Sequence, residues 1–145
     1  MPYHITETCT GCTVCAKLCP VFAIAEEKNA QLGDACRHIV NENRCVNCGV
    51  CGRVCPKGAI VDESGKPCAQ VKRSQWPKPA VDVKTCSACA ICVNDCTPGA
   101  LRISLPRFRG DINVYAELAQ PQKCVGCAIC ESHCPIGAIS IEAAK

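Results

Sequence analysis

Cysteines are the residues of this chain whose number and spacing could do chemistry. The pattern CxxCxxCxxxC occurs four times and takes up 16 of the 18 cysteines in 145 residues. Those sixteen are Cys9, Cys12, Cys15, Cys19, Cys45, Cys48, Cys51, Cys55, Cys86, Cys89, Cys92, Cys96, Cys124, Cys127, Cys130 and Cys134. Each copy puts three thiols on one tight loop, which can hold three corners of an iron–sulfur cubane, and sets a fourth apart to complete another. The sequence therefore predicts four 4Fe-4S clusters whose iron is bound by these cysteines.

Disulfides and zinc are two other uses of clustered cysteines, and both fit the chain less well. A secreted disulfide scaffold needs an export signal, and the opening MPYHITETCTGC has neither a basic n-region nor an apolar h-region. Structural zinc sites use CxxC pairs, but not a third cysteine after two more residues and a fourth after three. No stretch approaches the roughly 18 apolar residues of a membrane span. We therefore expect a cytoplasmic protein with no membrane span.

The formal net charge of +3 counts every cysteine as neutral. An oxidised 4Fe-4S cluster with four thiolates carries about −2, so four clusters would bring the chain to about −5. The basic residues are scattered along the sequence and form no stripe. We expect no nucleic-acid site.

The four motifs group into two pairs. Alternating apolar and polar residues precede the first and third motifs (HITET, AVDVK) and follow the second and fourth (AIVDE, AISIE), as in half-buried strands that could close each pair. An alanine also recurs four places after each last cysteine, at Ala23, Ala59, Ala100 and Ala138. Residues 64–79, SGKPCAQVKRSQWPKP, carry three prolines and indicate a linker. We predict an α+β fold with modules at residues 1–63 and 80–145, each of short β-hairpins and short helices around two clusters.

The paired motifs resemble the bacterial two-cluster 4Fe-4S ferredoxins, and the doubled arrangement resembles the polyferredoxins, over nearly the whole chain. Proline follows the last cysteine in that family, as it does here at Pro20, Pro56 and Pro135. In the family, one cluster is held by the first three cysteines of one motif and the last of its partner motif. The resemblance implies four ligand sets: Cys9, Cys12, Cys15 and Cys55; Cys45, Cys48, Cys51 and Cys19; Cys86, Cys89, Cys92 and Cys134; Cys124, Cys127, Cys130 and Cys96.

A second pairing of the motifs is known from the iron–sulfur subunits of molybdopterin oxidoreductases. There the first motif partners the fourth and the second partners the third, with the same sixteen ligands. The linker between motifs two and three, and the flanking strands of each pair, favour sequential pairing.

Electron transfer without catalysis is what the resemblance implies for this chain. A cubane with four cysteine ligands has no open coordination position, and the sequence has no GxGxxG or GxxxxGK[ST]. We expect a relay subunit between a catalytic oxidoreductase subunit and a low-potential redox carrier or reductase. It is similar to the small subunits that accompany tungsten or molybdenum aldehyde oxidoreductases, hydrogenases and formate dehydrogenases. The alternatives are a freestanding soluble polyferredoxin, a cluster-bearing part of an enzyme, and a cluster-assembly protein.

Two residues near the motifs bear on the resemblance. Tyr3 lies six residues before Cys9, where these ferredoxins often carry an aromatic residue near a cluster, and Ala80 takes that place in the second module. The third motif has Thr97 in place of the proline. We hypothesise that the Thr97 N–H donates to a sulfur and raises the potential of the cluster that shares Cys96.

Four further residues lie outside the repeated pattern or beside it. Cys36 and Cys68 are expected to be buried, inert thiols, and His38 is expected to serve in packing. His133 directly precedes a motif cysteine, so it either couples a proton to reduction or forms a hydrogen bond near a cluster.

Overall fold

The chain folds into two compact units, Met1–Arg73 and Ser74–Lys145, which repeat one order of elements. The computed structural model describes residues 3–27 and 37–143. The first unit contains β1 (His4–Ile5), α1 (Val14–Leu18), β2 (Ile24–Glu27), β3 (Arg37–Val40), α2 (Val50–Val54) and β4 (Ile60–Val61). The second contains β5 (Lys78–Val81), α3 (Ile91–Asp95), β6 (Leu101–Ile103), β7 (Ala116–Leu118), α4 (Ile129–His133) and β8 (Ile139–Glu142).

Within residues 3–27 and 37–143, each unit has two antiparallel two-stranded sheets. The outer strands pair with each other, β1 with β4 and β5 with β8, and the inner strands pair as β2 with β3 and β6 with β7. In the outer sheets Ile5 lies opposite Ile60, and Val81 lies opposite Ile139. The prediction that flanking strands close each pair of motifs is confirmed, and short strands with short helices give a small α+β fold.

The four helices are single turns of five residues that begin one residue before the third cysteine of each motif. Each helix begins there because the residue before it accepts the first helical hydrogen bond, as when the Lys17 N–H donates to the Thr13 carbonyl at 3.0 Å. That preceding residue has a left-handed backbone in every repeat, at Thr13, Gly49, Ala90 and Ala128.

The strand β5 differs from the predicted run of residues 80–84. It begins at Lys78 and ends at Val81. The Asp82 carboxylate accepts hydrogen bonds from the Lys84 N–H at 3.0 Å and from the Thr85 hydroxyl at 2.7 Å. These bonds turn the chain away from the sheet.

The first half of the segment predicted as a linker is hydrogen-bonded to the first unit. Cys68 N–H donates to the Ile60 carbonyl at 2.8 Å, and Val71 N–H donates to the Arg53 carbonyl at 2.9 Å. The division between the two units falls after Arg73, inside the segment. The module bounds 1–63 and 80–145 stay a prediction.

Little apolar bulk fills either unit. Among the described residues, the largest fully buried side chains are Ile60, His38 and Val50. In the second unit, one buried cluster consists of Cys92, Leu101, Ala116 and Ile139. Cysteines therefore take core positions that larger side chains fill in most proteins. No helix within the described ranges is long and apolar enough to cross a membrane.

Candidate iron–sulfur sites

Four cavities bring the sixteen motif cysteines together in groups of four. In the first unit, the Cys9 site is lined by Cys9, Cys12, Cys15 and Cys55. The Cys45 site is lined by Cys45, Cys48, Cys51 and Cys19. In the second unit, the Cys86 site is lined by Cys86, Cys89, Cys92 and Cys134. The Cys124 site is lined by Cys124, Cys127, Cys130 and Cys96. Each site takes three cysteines from one motif and the fourth from the other motif of the same unit.

The cysteines surround a volume and do not converge on a point. Within residues 3–27 and 37–143, no group of three His, Cys, Asp or Glu side chains has the geometry to hold a single metal ion. A cubane needs four thiolates spread around its corners. The arrangement suits a cluster of several atoms.

The loops around the sites are shaped by left-handed residues at three positions of every repeat. These positions are the residue before the second cysteine, the residue after it, and the third residue after the last cysteine. Six non-glycine and eight glycine residues of the described ranges have positive φ, and twelve of them occupy these positions. They are Gly11, Asn47, Ala88, Gly126, Thr13, Gly49, Ala90, Ala128, Phe22, Gly58, Gly99 and Gly137. A backbone that alternates in hand forms a concavity of N–H groups that favours an anion.

The alanine that recurs after each motif places a hydrogen-bond donor on a cysteine sulfur. Ala23, Ala59, Ala100 and Ala138 are 1–3% exposed. The N–H of each donates to Sγ of the cysteine four residues earlier, at 3.3 Å in all four repeats. In the second unit the Ala116 N–H also donates to Cys86 Sγ at 3.4 Å. Such N–H donors stabilise thiolate, the form of cysteine that binds iron.

The cysteine thiols differ in their electrostatic surroundings. Burial raises the pKa of Cys15 to about 11, and that of Cys51 and of Cys130 to about 12. Burial also acts to raise the pKa of Cys134, but hydrogen bonds from nearby backbone N–H groups outweigh it and leave that pKa lowered. Since iron binds thiolate, loading the buried positions must release protons.

Two residues outside the motifs lie close to the helix α2 region of the first unit, Tyr3 at the Cys45 site and Cys68 against Gly52. Tyr3 lines this cavity, so the aromatic residue expected there is in place. Cys68 is half-buried, where a buried thiol was predicted, and burial raises its pKa. Its side chain fills the space beside the helical glycine Gly52, where a Cβ would come within 2.7 Å of Cys68 Sγ. Cys36 lies outside the described residues.

His38 is buried, as predicted, but its location was not foreseen. It is 1% exposed and lines the Cys9 site. The alternation of residues along β3 could have placed His38 on the inner face of the strand. No local sequence pattern predicts which group that face contacts.

His133 has a partner that the sequence did not indicate. Its Nδ1 lies 2.7 Å from Asp95 Oδ2, which joins α4 to α3. Asp95 also lines the Cys124 site. Thr97 is exposed beside Cys96, and its hypothesised effect on a potential stays a prediction.

Comparisons with known proteins recover the motifs in two places. Residues 8–59 match the family described as "4Fe-4S dicluster domain", and residues 120–140 match the "4Fe-4S binding domain". The first range holds both motifs of the first unit, and the second holds the fourth motif. The search of curated proteins found no match.

One solved structure with a matching chain is the formate dehydrogenase, heterodisulfide reductase and formylmethanofuran dehydrogenase complex from Methanospirillum hungatei. The two chains share 25% sequence identity and align with a TM-score of 0.37. The alignment covers 92% of this chain and 52% of that chain, so this chain spans about half its length.

The family matches fall on three of the four cysteine motifs. Both matched ranges carry complete CxxCxxCxxxC motifs whose cysteines line the cavities. The chain therefore contains two 4Fe-4S ferredoxin-type domains, and such domains indicate a role in electron transfer.

Proposed function

We propose that the chain holds four 4Fe-4S clusters and transfers electrons through them. The observation that carries the proposal is that each of the four cavities is lined by four cysteines, three from one motif and one from its partner. The proposed ligands are the four cysteines of the Cys9, Cys45, Cys86 and Cys124 sites, in the sequential pairing of motifs.

The residues at each site fit such a cluster. Thiolates are the soft ligands that iron–sulfur clusters take. A recurring alanine N–H at 3.3 Å from the fourth cysteine supplies a donor to the sulfur in every repeat. When bound, a cluster with four cysteine ligands exchanges one electron and offers no open position to a substrate.

The surroundings of the sites control access to them. Cys12 and Cys89, the second cysteines of the Cys9 and Cys86 sites, are exposed, whereas Cys15 and Cys92 of the same sites are buried. An exposed ligand lets a redox partner come close, while the buried one keeps water from the interior of the site. Both sites can therefore exchange electrons at the surface.

We also propose that the chain is the relay subunit of a larger oxidoreductase complex, between a catalytic subunit and a low-potential carrier or reductase. Four closed clusters exceed what a diffusing one-electron carrier needs. The loop between β6 and β7 also exposes three apolar side chains, Leu105 at 76%, Phe108 at 63% and Ile112 at 88%. Apolar groups grouped in this way mark interaction surfaces.

Iron and sulfide analysis of anaerobically purified protein tests the cluster number. We expect about sixteen of each per chain, since each of four cubanes contributes four. The Cys55→Ser variant should lose iron from the Cys9 site, whereas Cys68→Ser, which changes a cysteine outside the motifs, should keep the full content. A content of about eight iron atoms per chain in the unaltered protein would refute the proposal of four clusters.

The native mass of the purified protein separates the relay subunit from the freestanding polyferredoxin. A stable complex with a catalytic subunit supports the first. A monomer that accepts electrons from a reductase and passes them on by diffusion, with no associated subunit in its native cells, supports the second.

A further inference from the structure

His38 in β3 is a buried polar side chain with no hydrogen-bond partner. It is 1% exposed. Among residues 3–27 and 37–143, neither Nδ1 nor Nε2 of its ring has a donor or acceptor within reach. A buried polar group left without a partner destabilises the folded protein. The position therefore calls for a partner beyond the protein groups described.

The cavity that His38 lines is the Cys9 site. The ring shares this lining with the four cysteines Cys9, Cys12, Cys15 and Cys55. Ile5 and Ile60, both buried, line the same cavity and offer the ring no hydrogen bond. The group that occupies this cavity is the one positioned to accept from the imidazole.

The second unit provides a matched position without the imidazole. In the first unit, His38 lies opposite Glu26, two residues along the ladder from the pair Ile24 and Val40. In the second, Ala116 lies opposite Ile103, two residues along from the pair Leu101 and Leu118. Ala116 lines the Cys86 site, just as His38 lines the Cys9 site. The two positions are equivalent. The first unit has a side-chain donor there, whereas the second has a methyl group and a backbone N–H that donates to Cys86 Sγ at 3.4 Å.

We propose that the His38 ring N–H donates a hydrogen bond to a sulfur atom at the Cys9 site and raises the reduction potential of that site. Reduction adds negative charge, which a donor to sulfur stabilises, and such hydrogen bonds set the potentials of iron–sulfur clusters. The inference rests on the proposed cluster at the Cys9 site. His38 thereby makes the Cys9 site easier to reduce than it would be without the imidazole.

Spectroscopy of the unaltered protein tests the hydrogen bond directly. The chain has three histidines, so protein labelled with ¹⁵N-histidine and partly reduced is examined by electron–nuclear double resonance. We expect ¹⁵N coupling at one reduced site, together with one exchangeable proton in addition to those of backbone donors such as the Ala59 N–H. Both should vanish in His38→Phe, whereas His38→Gln, which keeps an N–H donor, should lose the ¹⁵N coupling and retain the proton. Absence of ¹⁵N coupling in the unaltered protein, or its persistence in His38→Phe, would overturn the inference.

Potentiometric titration tests the effect on electron affinity. In His38→Phe one midpoint potential should become more negative, and His38→Gln should restore it in part. In Ala116→His a different midpoint should become more positive. If His38 served packing alone, the His38→Phe variant would lose its visible absorption at a different rate, but all its midpoint potentials would equal those of the unaltered protein. That result would refute the inference.

Iron content keeps this inference distinct from the proposed function. If the unaltered protein has its full iron content but shows no ¹⁵N-histidine coupling, only the proposed role of His38 is refuted. Iron missing from the Cys9 site of the unaltered protein removes the proposed cluster there as well.

Discussion

His133 Nδ1 lies 2.7 Å from Asp95 Oδ2, and the two residues directly precede the last cysteines of the fourth and third motifs. The contact therefore joins the short helices α3 and α4 next to Cys96 and Cys134. These two cysteines belong to different sites of the second unit. The first unit has Leu18 and Val54 at the equivalent positions, so the contact is particular to the second unit.

The contact between His133 and Asp95 should stabilise the second unit modestly, because both side chains are partly exposed, at 55% and 38%. A surface pair of this kind contributes about 0.2–1 kcal/mol. We expect His133→Ala and Asp95→Ala each to speed the loss of visible absorption in denaturant, and the double variant to be little worse than either. Additive effects in the double variant would contradict a direct coupling.

Gly52 should be intolerant of a side chain because of Cys68. A Cβ at Gly52 would lie 2.7 Å from both Cβ and Sγ of Cys68. The equivalent helical positions in the other repeats carry side chains, at Ala16, Val93 and Glu131. We expect Gly52→Ala to destabilise the protein by about 1–3 kcal/mol, as overpacking does, in spite of the better helix propensity of alanine.

Substitution of Cys68 provides the control for Gly52→Ala. Cys68→Gly in the same chain removes both clashing atoms and should restore the stability of Gly52→Ala to that of Cys68→Gly alone. Cys68→Ala leaves the Cβ and should rescue only in part. The stability of each variant is measured as the temperature at which its visible absorption is lost. If Gly52→Ala destabilises the protein equally with Cys68 and with Cys68→Gly, the clash with Cys68 is not the cause.

Local sequence patterns predicted much of this fold. The cysteine spacing indicated the motifs, and the alternation of HITET and AISIE indicated outer strands, which pair as β1 with β4 and β5 with β8. Each of these patterns is contained in a few consecutive residues, and over so short a stretch the spacing alone determines which side chains share a face. The grouping of four cysteines around each cavity was implied by family resemblance, because it joins residues such as Cys9 and Cys55 across the whole first unit.

Contacts between distant segments could not be predicted in this way. The strand β7 is only three residues long, Ala116–Leu118, and just before it the Tyr115 N–H donates to the Ser104 hydroxyl, a side-chain contact across the hairpin. The contact between His133 and Asp95 and the space beside Gly52 also depend on segments far apart in sequence. Hydrophobic periodicity gives the inner face of an element but not the group it meets.

Thr97 provides a test of how the backbone affects the Cys124 site. The other three motifs have proline after the last cysteine, and proline has no N–H to donate. We expect Thr97→Pro to make the potential of the site that shares Cys96 more negative, while the other three potentials stay in place. Thr97→Ser keeps the N–H and should leave all four unchanged. A titration in which Thr97→Pro displaces none of them would rule out the effect.

Removal of iron should unfold both units. Cys9 and Cys55 come from opposite ends of the first unit, and the strands β1 and β4 that bring them together are two residues long. A domain of about 70 residues rarely gains more than about 3–5 kcal/mol from its core, and here cysteines occupy part of that core. We expect a chelator under reducing conditions to abolish the far-ultraviolet circular dichroism of the fold, because cluster binding and folding are one process.

The matched control for iron removal is the same chelator already saturated with metal, which should leave the dichroism unchanged. Iron, sulfide and reductant added back to the apoprotein should restore both the visible absorption and the dichroism together. Recovery of the dichroism before the absorption would mean that the protein folds first and then takes up its clusters. An apoprotein that kept its dichroism and unfolded cooperatively on heating would show that the small apolar core alone specifies the fold.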